Sequence, residues 1–305
     1  MHRPIADAPP QRLARAHTAL EGLALGDGFG ERFFDVPGRA LARILARALP
    51  PAPWRTTDDT EMASAIVEIL AAHGGIECDA LARRFAERFV ADPDRGYGGG
   101  AFSLLWAIAR GEPWPAAAAT LFDGQGSMGN GAAMRAAPIG AYFAGDDAAV
   151  IDHADRSARV THTHPEGRAG AIAVALAAAW AALHGPVGGG DRLLAHVAAL
   201  PPEGPTRQGL LDAARLSAST TIAAAAQRLG SGDRVLAADT VPFALWSAAH
   251  HLGDFEAAMW ATVEGLGDRD TTCAIAGGVV ALAVGPARLP AAWLRAREPL
   301  ALALA

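Results

Sequence analysis

Two clusters of acid and hydroxyl side chains, near opposite ends of the chain, are the residues best suited to chemistry. Thr56-Thr57-Asp58-Asp59-Thr60-Glu61 packs carboxylates and hydroxyls into one short run and leads straight into the apolar segment Met62 to Val67. A single acid or threonine there is an ordinary N-cap, because it accepts backbone N–H bonds and suits the positive end of the helix. Adjacent Asp58 and Asp59 crowd like charges, which a cation relieves. Hard divalent cations take such oxygen donors. Gly267-Asp268-Arg269-Asp270-Thr271-Thr272 repeats the pattern before the very apolar run Ala274 to Val284. Asp268 and Asp270 are two residues apart, so an extended turn points them to one side. Capping accounts for each cluster alone. Together, at the mouths of two helices too apolar for the surface, the four aspartates Asp58, Asp59, Asp268 and Asp270 and two threonines could enclose one or two cations.

Gly124-Gln125-Gly126-Ser127-Met128-Gly129-Asn130-Gly131 offers a partner for such a centre. A glycine-rich loop feeding a helix presents backbone N–H groups to an anion, typically phosphate. No strand leads into it and the Lys-Ser/Thr pair of a P-loop is missing, so it reads either as a flexible loop or as a diphosphate cradle. Thr161-His162-Thr163-His164 precedes the longest apolar stretch. With no third ligand nearby in sequence, these histidines read as capping or stacking residues rather than zinc ligands. Gly26-Asp27-Gly28-Phe29-Gly30 reads as the C-cap of the first helix, with Asp27 bonding locally in the turn.

The elements that must position these residues are helices. Apolar spacing and Gly/Pro punctuation predict them over 11–26, 58–73, 79–90, 101–110, 131–143, 147–160, 165–184, 191–200, 207–217, 222–229, 242–251, 255–264, 270–284 and 290–297. No period-2 run is long enough for a sheet, and no fixed repeat is visible. The expectation is one all-α domain over residues 1–305, with the motif-bearing core from about 13 to 284.

Composition closes off several alternatives. The 305 residues are 51% hydrophobic and 19% charged, which excludes intrinsic disorder. A net charge of −6 advertises no face for nucleic acid. Two cysteines, Cys78 and Cys273, allow neither a disulfide framework nor a Cys-based zinc site. Met1 to Asp7 carries no apolar signal core, and the apolar runs 169–183 and 273–285 fall short of a membrane span. A cytoplasmic protein without a membrane segment is expected, the tryptophans being core.

Taken in order, Gly26-Asp27-x-x-Gly30, Thr57-Asp58-Asp59-Thr60, Gly126-Ser127-x-Gly129-Asn130-Gly131-x-x-Met134-Arg135, Thr161-His162 and Gly267-Asp268-x-Asp270-Thr271 resemble the ADP-ribosylglycohydrolase family. The resemblance implies an orthogonal helical bundle with two Mg²⁺ or Mn²⁺ ions at the base of a cleft. Thr57, Asp58, Asp59, Asp268, Asp270 and Thr271 would be the ligands. Gly126, Ser127, Met128, Gly129, Asn130 and Gly131 would hold the diphosphate of ADP-ribose, with His162 beside the nucleotide. The implied reaction is hydrolysis of a ribosyl C1″ bond in an ADP-ribosylated protein or small molecule, with Asp58, Asp59, Asp268 and Asp270 as base and positioning groups. Hydrolysis of another ribosyl N-glycoside and catalytically silent ADP-ribose binding are the alternatives. One departure stands out: many members carry a Glu seven residues after the Asp of the Gly-Asp motif, where this chain has Phe34. Glu31, counted with the catalytic candidates, and Asp35 are the nearby acids that could substitute.

Overall fold

Helix propensity dominates an alanine-rich chain with few β-branched runs, and the computed structural model is accordingly helical throughout. It describes residues 8–217 and 219–303. The helices are α1 (Pro9–Glu31), α2 (Pro37–Leu45), α3 (Asp58–His73), α4 (Cys78–Ala91), α5 (Gly99–Ala109), α6 (Trp114–Thr120), α7 (Ala137–Tyr142) and α8 (Asp147–Arg159). After them come α9 (Pro165–His184), α10 (Gly190–Ala199), α11 (Pro205–Arg215), α12 (Ile222–Leu229), α13 (Ala237–His250), α14 (Phe255–Glu264), α15 (Arg269–Val284) and α16 (Ala291–Ala296). Among the described residues there is no strand, only two isolated bridges. The apolar side chains bury into one large cluster, with a small satellite around Leu104, Ala117 and Ala118.

The contact that sets the site is between α1 and α15. Gly22, Gly26 and Gly30 recur every four residues and so share one face of α1. A Cβ at Gly26 would stand 2.0 Å from the Cys273 carbonyl oxygen, one at Gly30 2.2 Å from that of Arg269, and one at Gly277 2.3 Å from that of Gly22. Only glycine lets the two backbones touch in this way. These glycines therefore do not cap α1. It continues through them to Glu31, and the expected C-cap at Gly26 to Gly30 is corrected by the packing of α15.

Other expectations shift for comparable reasons. Residues 131–143 are not one helix: a 3₁₀ turn (Asn130–Ala132) and α7 flank a break at Arg135, whose side chain bonds to the carbonyl oxygens of Gly131 and Ser157. α13 begins at Ala237, with Pro242 inside it and packed against Gly209 of α11. α2 and α6, each opened by a proline at its first or second position, were not expected. Met1 to Asp7 lies outside the described residues.

α9 alone among the described helices is long and apolar enough to cross a membrane, and 72% of its apolar window is buried within the protein. Trp54, Trp246, Trp260 and Trp293 are buried, and Phe29 stacks on Trp293 at 4.6 Å. The segment after α16 straps the entry to α3. Glu298 accepts hydrogen bonds from the backbone and hydroxyl of Thr56 at 2.7 and 2.8 Å and pairs with Arg95.

Candidate active site

α3 opens the site. Thr57 caps it, its hydroxyl accepting from the backbone N–H of Asp59 at 3.3 Å. That hydroxyl is fixed from behind by Asp27, a fully buried residue of α1. Asp27 accepts from the Thr57 hydroxyl (2.9 Å), the Thr57 and Thr60 backbone N–H groups (2.9 and 3.2 Å) and the Thr60 hydroxyl. The expected local turn bond of Asp27 is thus a long-range one. Burial raises its carboxyl to about 6 against those hydrogen bonds.

Across from it, α15 presents Asp268, Asp270 and Thr271. The Thr271 hydroxyl lies 3.4 Å from Asp59 Oδ2, so the two acid clusters meet although they are some 210 residues apart in sequence. Burial, then the charge of Asp27, pushes Asp58 up to about 8. Asp59 and Asp270 are raised well above the ordinary carboxylate range by burial and by neighbouring acids, Asp270 being the foremost neighbour for Asp59 and Asp268 for Asp270. Asp59 Oδ1 is fully buried and has no hydrogen-bond partner among the described residues. Crowded carboxylates, two hydroxyls and an orphaned carboxylate oxygen are a hard-oxygen donor set of the kind that divalent cations take. Histidine, cysteine and carboxylate side chains alone do not form a metal-holding group of three among the described residues, so this fit depends on the Thr57 and Thr271 hydroxyls.

The glycine-rich loop forms the opposite wall. Ser127 accepts from the Gly129 N–H at 3.1 Å, which tightens the turn. Gly126 has φ +78°, and a Cβ there would stand 2.1 Å from the Thr163 hydroxyl, so no other residue fits. Asn130 is buried and its amide already donates to Asp268 Oδ2 (2.7 Å) and the Thr240 hydroxyl (3.0 Å). Its side chain therefore ties the loop to the acids. Met128 is exposed at the rim. His162 is buried under the loop, while His164 caps α9 by accepting from the Glu166 N–H.

Between these walls lies a cleft of about 730 Å³, lined by Asp58, Asp59, Asp268, Asp270, Thr271 and the loop, and closed on one side by Gly96, the run from Gly98 to Ala101, and Phe122. That volume suits a ligand of nucleotide size. Residues 8–304 match the sequence profile of ADP-ribosylglycohydrolases. The chain belongs to the ADP-ribosylglycohydrolase family. It is 31% identical to ADP-ribosylhydrolase ARH3 of Homo sapiens over 94% of this chain and 90% of that one. For the Bos taurus protein of the same name the figures are 31%, 94% and 89%. A solved ADP-ribosylglycohydrolase-related protein complex superposes with a TM-score of 0.65 at 25% identity, over 95% of this chain and 94% of that one. The chain is thus a glycosidic hydrolase of the ADP-ribosylglycohydrolase type.

Around the departure from the family pattern, the two flanking acids behave differently. Asp35 faces α2, pairing with Arg39 at 3.4 Å and Arg43 at 3.9 Å. Glu31 is half-buried; burial, aided by the charge of Asp268, raises its carboxyl against Arg32 and Arg55. Glu31 is not among the residues lining the cleft, although the charge of Asp268 reaches it. Phe34 is 47% exposed and carries the Arg269 guanidinium over its ring at 5.0 Å.

A loop between α12 and α13, which no motif in the sequence marked, completes the cleft. Residues 230–236 join both walls: the Val235 and Ser231 carbonyls accept from the Asn130 and Asp268 N–H groups, and Ala237 N–H donates to the Met128 carbonyl. Arg234, Val235 and Leu236 line the cleft. Gly230 and Gly232, at φ +88° and +94°, are the signal that could have marked it as a shaped loop.

Proposed function

We propose that this chain hydrolyses the C1″ glycosidic bond of an ADP-ribosylated side chain or small molecule in a reaction dependent on Mg²⁺ or Mn²⁺. The observation that carries this reading is the meeting of two acid clusters, with Asp59 Oδ1 buried and unpartnered, on the floor of a nucleotide-sized cleft. Thr57, Asp58, Asp59, Asp268, Asp270 and Thr271 would hold the ions. Bound divalent ions supply Lewis acidity toward substrate oxygens.

The protein's own groups do the rest. The backbone N–H groups of Ser127, Met128 and Gly131 are left to receive the diphosphate at the mouth of a helical turn, those of Gly126, Gly129 and Asn130 being bonded to Leu121, Ser127 and Val235. Asp58, Asp59, Asp268 and Asp270 orient the attacking water and take up its proton, while positive charge develops on the ribose. Thr57, its hydroxyl proton directed to Asp27 and one lone pair taken by the Asp59 N–H, keeps one lone pair for the cluster, its oxygen 3.1 Å from Asp59 Oδ2. Arg135, buried without a carboxylate partner, adds positive potential that Asp58 feels.

The deciding experiment is ADP-ribose release from arginine-, serine- and cysteine-linked ADP-ribosylated proteins and from small-molecule conjugates, with Mg²⁺, Mn²⁺ or EDTA. Release from one linkage that EDTA abolishes is the expected result. Equal release with EDTA would overturn the metal dependence, and no release would overturn the substrate class. A second reading, hydrolysis of a different ribosyl N-glycoside, is favoured by Phe34 and its Arg269 stack in place of a carboxylate. Nucleosides and nucleotides added to the same panel test it.

A further inference from the structure

A buried chain of three side chains runs beneath the glycine-rich loop. Arg135 has no exposed surface, donates to the Ser157 carbonyl at 2.9 Å and to the Thr161 hydroxyl oxygen at 2.8 Å, and lies over the Phe85 ring at 4.6 Å. The Thr161 hydroxyl is in turn 2.7 Å from Nδ1 of His162. A guanidinium can only donate and a hydroxyl has one proton. Arg135 takes one of the two lone pairs of the Thr161 oxygen, and among the described residues Nδ1 is the one acceptor within reach of the Thr161 proton, so that proton is directed to Nδ1. Nδ1 is then the acceptor, and the ring proton sits on Nε2.

Among the described residues Nε2 makes no hydrogen bond, and it is not one of the fully enclosed unpartnered polar atoms, so it is open to the cleft. It faces the loop: Cβ atoms at Gly129 and Gly131 would each stand 3.3 Å from it, and His162 lines the cleft. Burial, with the Arg135 charge second, keeps the ring neutral by lowering its pKa to about 3. A neutral imidazole is either a donor or an acceptor at a given nitrogen, and only its other nitrogen decides which.

We propose that Thr161, held by Arg135, is a positioning residue that fixes His162 as the Nε2–H tautomer, so that the cleft presents an N–H donor to the anionic part of the ligand between Gly129 and Gly131. The choice of ligand rests on the proposed function; the tautomer does not. Without the Thr161 proton, Nδ1 is free to carry hydrogen itself, and Nε2 turns a lone pair toward the same anion. The two states differ by an attraction exchanged for a repulsion.

The test reads tautomer and binding separately. In ¹⁵N-histidine spectra at neutral pH, the signal that disappears in His162→Gln is expected to show a protonated Nε2 and a bare Nδ1 in the unsubstituted protein. Thr161→Val is expected to lose that pattern and raise the Kd for ADP-ribose by about tenfold, the weight of one hydrogen bond to a charged group. Thr161→Ser is expected to restore both. A protonated Nδ1 or an imidazolium in the unsubstituted protein, which requires no variant at position 161 to fold, overturns the proposal. So does an unchanged Kd in Thr161→Val. If ADP-ribose fails to bind the unsubstituted protein while Nε2–H is observed, the positioning stands and the substrate reading falls.

Discussion

The two acid-bearing helix starts look alike in sequence but are held in opposite ways. The start of α3 is braced from behind, by Asp27 of α1 and by Glu298 of the strap after α16, neither of which lines the cleft. The start of α15 is braced from the front, by Asn130 and Ser231, both on loops that shape the cleft. One half of the acid pair is therefore scaffold, while the other is joined to the walls of the cleft. Disturbing the first should change stability and donor geometry together. Disturbing the second should change how ligand binding and the acids communicate.

Several experiments press on that contrast. Asp58→Ala and Asp270→Ala remove an acid from each half, and both are expected to lower kcat/KM by about 10³-fold, comparable to the loss of one electrostatic group at a reacting centre. Both variants should melt no lower than the parent without metal, because each relieves repulsion among buried carboxylates. A parent-like rate in either would break the assignment of both clusters to one site. Asp27→Ala should act on the scaffold half, costing about 2–4 kcal/mol in denaturant unfolding, because two hydroxyls and two backbone N–H groups lose their acceptor.

The acids also fix a pH response. Asp27 and Asp58 have folded pKa values of about 6 and 8, above the usual 3.8. The folded protein thus holds more protons than the unfolded chain in between, so stability falls as pH rises from about 4 to 8. Glu68 works in the other direction. Burial alone would raise it, but Arg84 and Arg88 hold it down at about 2, so its contribution is present above 4.5 and lost as pH falls toward 2. Metal-free protein should therefore show its highest Tm in mildly acidic buffer. Mn²⁺ or Mg²⁺ should raise Tm by several degrees more at pH 8 than at pH 5, and an equal rise at both would count against cations at these acids. The smallest effect is expected from Asn130→Ala. It should shift Tm by less than Asp27→Ala does, yet weaken ADP-ribose binding and metal binding together by about fivefold, as a coupling of about 1 kcal/mol requires.

Much of this was readable from residue types, and the reason is local. An acid pair before an apolar helix is crowded whatever else the chain does, so Asp58, Asp59, Asp268 and Asp270 announced themselves. The helix bounds at Asp58–His73, Pro165–His184 and Phe255–Glu264 were legible because caps and prolines act within a turn. What was not legible depends on distant partners. Gly26 looks like a helix stop until the Cys273 carbonyl is known to press on it. Asp27 looks like a turn residue until Thr57 and Thr60 are placed beside it. Asn130 reads as a ligand-loop residue, yet its amide is spent on Asp268 and Thr240. Glu31 and Asp35 both stood as acids near Phe34, and only the packing of α2 shows Asp35 paired with Arg39.

The backbone contact between α1 and α15 also bears on how the molecule is made. It closes a loop of nearly the whole chain, and contacts of such separation form late because the entropy of closure precedes their reward. During synthesis, α3 emerges with its carboxylates already crowded and nothing opposite them for the next two hundred residues. Only when Asp268 to Thr271 leave the ribosome, and Gly277 settles on Gly22, does the second half of the donor set exist. A nascent or truncated chain can be helical, and even largely collapsed, yet never bring the two acid clusters together.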